Sequence, residues 1–293
     1  MKYLSQKKGF LGYEANNKKD DKVVVIPFGL EMTVSYGGGT KNGPKEIIKA
    51  SHQVELFDEE LNKEPFKEIG IKTLKPFLIK KKIKPALKQL SKINEEILAN
   101  KKLPIIFGGE HSLTAGSIRP FVKKYDEIVI LHFDAHADLR ESYNGERYSH
   151  ASAIKRCLDF KNVKVVSFGI RNLSQSEMQF YRNNKDRIEI FWGKDKHKWD
   201  LSRLKSIFAG KNVYITFDVD GFDSSIMPAT GTPEPGGFLW EDVLPIIKSV
   251  CQESNIVGVD INELSPIKNF NSYNFLVAKL AYKILAYIFE FKR

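Results

Sequence analysis

Cysteine is almost missing from this sequence. Only Cys157 and Cys251 occur in 293 residues, far apart and in different contexts. Two distant thiols make no disulfide framework, so a reducing, cytoplasmic setting is expected, with each thiol a small buried apolar side chain. No apolar run approaches the ~18 residues a membrane-spanning helix needs. The opening 21 residues lack the apolar core of a secretory signal. No membrane partner is expected. Internal repeats, low-complexity tracts and Pro-, Ser- or Gly-rich linkers are also absent. One domain over residues 1–293 is expected.

Charge is unbalanced, with 46 Lys and Arg against 36 Asp and Glu. Such an excess invites a polyanion hypothesis. The lysines are dispersed, however, and the densest cluster, residues 80–84, opens an amphipathic helix. No nucleic-acid motif accompanies it. A solvated basic surface and no nucleic-acid partner are therefore expected.

What is present is a regular alternation. Short runs rich in Val and Ile at 22–28, 103–107, 127–133, 163–168, 188–191, 212–217 and 256–261 predict seven strands. Several are unbroken apolar runs, as in strands buried on both faces of a parallel sheet. Between them, Ile83, Leu87, Leu90, Ile93 and Ile97 recur at helical spacing, with Pro85 near the start. Leu276, Val277, Leu280, Ala281, Ile284 and Leu285 form a wide apolar stripe near the C-terminus. The alternation predicts an open parallel sheet with helices on both faces. In such sheets ligands bind beyond the carboxyl ends of the strands.

Three predicted strands end in polar clusters. Run 103–107 is followed by GGEHS (108–112), run 127–133 by DAHADLR (134–140), and run 212–217 by DVDGFD (218–223). In extended chain, residues two apart point the same way. Asp134, His136 and Asp138 are thus expected on one side, with Ala135 and Ala137 facing away. Asp218 and Asp220 should behave alike, and His111 should lie beside them. Without cations so many carboxylates would repel, and several would have to take up protons. Carboxylate and imidazole ligands without thiolate favour Mn(II), with Zn, Co, Ni or Fe as substitutes. One such cluster alone could be structural, capping a following helix. Three, each placed directly after a buried strand, point to a metal site.

Together with PATGTPEPGG (228–237) and DINELSP (260–266), these motifs resemble the ureohydrolase superfamily of arginases and agmatinases. The resemblance reaches back to PFGLEMTVSYGGGTKNGPKEIIKAS (27–51) and covers nearly the whole chain. It implies an α/β fold, a three-layer α/β/α sandwich around a mostly parallel eight-stranded sheet. It implies two Mn(II) ions, one held by His111, Asp134, Asp138 and Asp218, the other by Asp134, His136, Asp218 and Asp220. Two such cations can share a water and lower its pKa from ~16 toward ~7. Glu263 is implied to hold a guanidinium over the metals, Asp138 to carry a proton to the departing amine, and His150 to exchange protons with solvent. Thr216 stands where the family often has serine, and Ser224 where it usually has proline.

The arginase asparagine that follows the second aspartate of the D-A-H-x-D cluster is absent, since Leu139, Arg140 and Glu141 follow Asp138. The segment instead resembles short agmatinases. The small-molecule partner expected is agmatine, cleaved to putrescine and urea, with 4-guanidinobutyrate next and arginine third. Glu141 and Glu146 could attract an amine tail, although loop acids are commonly solvent-facing. His132 falls inside a strand and is expected to be a core residue or to lie behind the ligands. His52 and His197 match no catalytic position. A single-zinc amidohydrolase disagrees with the six-ligand set, and a calcineurin-like phosphoesterase lacks its further motifs here. A non-catalytic regulatory protein would bind without metal and show no turnover. A homo-oligomer, trimer or hexamer, is implied by the resemblance only.

Overall fold

A computed structural model of the chain describes residues 1–13 and 21–291. Eight strands form one sheet: β1 Val23–Phe28, β2 Ile71–Thr73, β3 Leu103–Gly108, β4 Ile128–Phe133, β5 Val163–Phe168, β6 Ile188–Phe191, β7 Asn212–Asp218 and β8 Asn255–Asn262. Their order is β2-β1-β3-β8-β7-β4-β5-β6. All pairings are parallel. The seven runs read from the sequence are all strands, within a residue or so at each end. The eighth, β2, is only three residues long and sits at an edge.

The unbroken apolar runs are explained by burial on both sides. Val23 and Val25 of β1 share one core with Ile105, Phe107, Leu131, Phe133, Ile215 and Phe217. That face is covered by helices Gly43–Ser51, Trp240–Glu253 and Ser272–Phe291. Val24, Ile26 and Ile106 face the opposite way, onto helix Ile83–Ala99. Farther along that second face, Ile130, Val165 and Tyr214 pack with Phe121, Ile154 and Cys157. Cys157 and Cys251 are both buried and free. Lys80, Lys81, Lys82 and Lys84 are exposed, so the basic cluster is a solvated helix start. No helix among the described residues is long and apolar enough to cross a membrane.

The order places β3, β8, β7 and β4 side by side at the centre of the sheet. Each carries one of the polar motifs on its carboxyl end. The topology therefore gathers four segments, widely separated in sequence, at one rim.

Candidate metal centre

The rim holds two groups of imidazole and carboxylate. In the first, Nδ1 of His111 lies 3.1 Å from Asp134 Oδ2, 3.1 Å from Asp138 Oδ2 and 3.3 Å from Asp218 Oδ2. In the second, Nδ1 of His136 lies 2.9 Å from Asp220 Oδ2 and 3.6 Å from Asp134 Oδ1. Asp134 thus offers one oxygen to each group. All six side chains named from the sequence come together.

The local backbone achieves this differently from simple alternation. Asp138 adopts φ +52°, so a left-handed turn swings its carboxylate back onto His111. Val219–Gly221 is a short 3-10 turn, and Asp218 Oδ1 caps it by accepting from Asp220 N–H at 2.9 Å. The capping role considered for such aspartates is real here, and the other oxygen of Asp218 still faces His111. Ala135 and Ala137 are buried away from the cleft, as read.

Hydrogen bonding fixes the His111 ring. Thr216 gives its hydroxyl hydrogen to Asp260 Oδ1 at 2.5 Å, so its oxygen is left to accept from His111 Nε2–H at 2.8 Å. In the neutral ring Nδ1 is then a lone pair. It is buried, makes no hydrogen bond, and faces three carboxylate oxygens. That is a setting for a cation, and the oxygen and imidazole donors suit a divalent one. Electrostatics agrees. Burial, followed by the charges of Asp220 and Asp134, pushes Asp218 well above the usual carboxylate range. Burial and Asp134 also raise Asp138. Burial opposes charging of the imidazoles, yet the surrounding carboxylates raise His111 well above its ordinary value and push His136 up to about 12. Protons here do the work of missing positive charge.

Glu263 lies at the end of β8 in a left-handed conformation, φ +65°. Its Oε1 accepts from His111 N–H at 2.7 Å, and its own N–H donates to Gly109 O at 2.7 Å. Both Glu263 and Asp138 thus hold the uncommon backbone found at functional sites. They line one cleft with His111, His136, Asp218, Asp220 and His150. His150 is half-buried at the rim. Its N–H donates to Thr33 Oγ1 at 3.0 Å, its Nδ1 lies 3.3 Å from the same oxygen, and its ring meets Tyr143 edge-on.

Several supporting residues were not read from the sequence. Glu110, fully buried in GGEHS, accepts from the N–H groups of Met32 and Thr33 and from the Ser112 hydroxyl, each at 2.6 Å. It ties the segment around Thr33 to the cleft. Arg171 donates to the carbonyls of Asp220 and Glu234, each at 2.8 Å, and to Pro235 O at 2.9 Å. It clamps the turn bearing Asp220 to the PATGTPEPGG loop. Only the position of Arg171 shortly after β5 could have flagged it, by the same strand-end rule. At the mouth two loops touch through bare backbone: a Cβ on Gly37 would fall 2.9 Å from Gly231 Cα.

Glu141 and Glu146, weighed for drawing in an amine tail against facing solvent as loop acids, do not line the cleft. Glu141 instead receives both terminal nitrogens of buried Arg156, at 3.1 and 3.0 Å, and this pairing holds its pKa down at about 2. Glu146 accepts from Tyr148 N–H. Arg140 does line the cleft, lying 3.6 Å from Glu177 and over the Tyr143 ring.

Known proteins resemble this chain over most or all of its length. The model of the Arginase family matches residues 21–287. The N(1)-aminopropylagmatine ureohydrolase of Synechocystis sp. is 34% identical, covering 100% of this chain and 97% of that relative. The agmatinase of Halalkalibacterium halodurans is 31% identical, covering 86% of each chain. Among solved structures, the agmatine ureohydrolase of Thermoplasma volcanium superposes with a TM-score of 0.83 at 29% identity, covering 98% of this chain and 96% of that one. With the match spanning every strand of the sheet and every motif that reaches the central rim, this chain belongs to the arginase family of ureohydrolases.

Proposed function

We propose that this chain hydrolyses agmatine to putrescine and urea, using two Mn(II) ions. The observation that carries the reading is Nδ1 of His111, buried, without a hydrogen bond, and faced by three carboxylates. His111, Asp134, Asp138 and Asp218 would hold one ion, and Asp134, His136, Asp218 and Asp220 the other. When bound, such a pair supplies Lewis acidity and a water of lowered pKa.

The chain's own residues do the rest. Glu263 pairs with the planar guanidinium through charge-assisted hydrogen bonds. One of its oxygens is already oriented by His111 N–H, which fixes the direction of the carboxylate. Asp138 carries a proton on its carboxylate to the departing amine, which leaves only when protonated. His150, between Thr33 and Tyr143 at the rim, exchanges that proton with solvent. The missing arginase asparagine favours a substrate without an α-carboxylate. N(1)-aminopropylagmatine is a second reading, supported by the Synechocystis relative that matches over the whole chain. The protein would act in the cytoplasm as a homo-oligomer, a trimer or hexamer as in its family.

The test is urea release by Mn(II)-loaded protein from agmatine, N(1)-aminopropylagmatine, 4-guanidinobutyrate and arginine, side by side. Preference for agmatine supports the reading. Preference for the aminopropyl compound keeps the chemistry and changes the substrate. Two bound ions with no urea from any of the four would overturn it.

A further inference from the structure

His132 takes no part in the roles assigned above, yet it is wholly buried behind the ligands. Its Nε2 lies 2.8 Å from Asp134 Oδ2, and its Nδ1 lies 3.0 Å from Ser167 Oγ. The sheet makes this arrangement: in the register of β4 and β5, His132 and Ser167 are direct neighbours. An ionised carboxylate can only accept, so Nε2 carries the hydrogen. Nδ1 then accepts from the Ser167 hydroxyl.

The consequence falls on Asp134. An ionised carboxylate has about four acceptor positions. Oδ1 accepts from His136 N–H at 2.6 Å and faces His136 Nδ1. Oδ2 accepts from His132 Nε2–H and faces His111 Nδ1 at 3.1 Å. Each oxygen therefore has one donor on it and one direction left toward an imidazole of each group. The terminal torsion of an aspartate is broad and roughly two-fold, and does not hold such an orientation by itself. The backbone amide of His136 fixes one oxygen. On Oδ2, among the described residues, the hydrogen-bond donor is His132 Nε2–H.

We infer that His132, with its tautomer set by Ser167, is a positioning residue that presents Asp134 Oδ2 to the ion beside His111. The inference rests on the two-ion reading above. It predicts an unequal loss: without the donor, the ion next to His111 weakens and the ion next to His136, served by Oδ1, does not. Loss of such an outer partner weakens metal binding by roughly 10–100-fold.

The experiment is calorimetric titration of Mn(II) into metal-free protein, with circular dichroism and thermal unfolding as fold controls. Wild type should take up two ions. His132→Leu should bind one of them ~10–100-fold more weakly and the other unchanged. His132→Gln, which keeps an amide donor near Nε2, should recover most of that loss. Ser167→Ala should show a smaller loss of the same ion. Two unchanged ions in His132→Leu would overturn the inference and leave the proposed function standing. A His132→Gln as weak as His132→Leu would also overturn it, because the imidazole would then be a ligand itself. Should His132→Leu not fold, unchanged binding in Ser167→Ala decides against the inference. A wild type that binds no Mn(II) would sink both readings.

Discussion

The two imidazole groups are built alike but housed differently. His111 is 1% exposed and is held from behind by the Thr216–Asp260 pair on neighbouring strands. The His136 side chain is 25% exposed, at the cleft. Its partner Asp220 stands on a turn whose carbonyl is tethered across loops by Arg171. One group is braced from behind by sheet residues and the other by a clamp between loops. Rigid elements position ligands more tightly than loops do. The His111 side should therefore be the tighter, slower-exchanging site, and the His136 side the one that samples solvent.

Four experiments break or sharpen that contrast, beginning with the largest effect. Asp134 serves both groups, so Asp134→Ala should abolish binding of both ions and all urea release. Elemental analysis of the dialysed protein checks this, and retention of two ions would refute the shared role. Thr216→Val removes the hydroxyl that orients His111 and should weaken the deep ion by ~10–100-fold, while Thr216→Ser should restore it. Arg171→Met should spare the deep ion and weaken the His136 ion by about tenfold, at the low end for an outer partner. Equal weakening of both ions would show that the two groups are not independent.

The fourth concerns protons. In the metal-free fold His136 is pushed up to about 12, so it is charged at neutral pH. A metal must displace that proton. Binding at pH 7 should release it, and affinity should climb with pH, by up to about tenfold per unit for each proton displaced. Titrations in buffers of different ionisation enthalpy read this directly. The sign for folding is opposite. A raised folded pKa gives the metal-free protein stability that is full below ~6.5, the unperturbed histidine value, and is lost as pH rises toward 12. Chelated protein should therefore melt lower as pH rises through 7 to 9.

Much of this was legible because buried parallel strands leave unbroken apolar runs. Their ends marked where the ligands lie, and GGEHS, DAHAD and DVDGFD supplied the residues. β2 was not legible: Ile71, Lys72 and Thr73 are too few to show a pattern. The ligands converge as alternation predicts but through a different local shape, since no propensity announces a left-handed Asp138. Glu141 faces solvent off the cleft, as expected of a loop acid, but its partner Arg156 is not visible from the loop. Glu110 and Arg171 act across 77 and 49 residues of chain, on backbone groups that every residue possesses. Apart from the place of Arg171 just past β5, single-sequence patterns carry no trace of such contacts.

The meeting of Gly37 and Gly231 gives the entrance an unusual property. Two stretches of naked backbone meet beside the cleft, and their closeness depends on what those positions do not carry. A single added methyl acts there as a shim. With Gly231 Cα and O both 2.9 Å from that added carbon, the two loops would have to part to accept it.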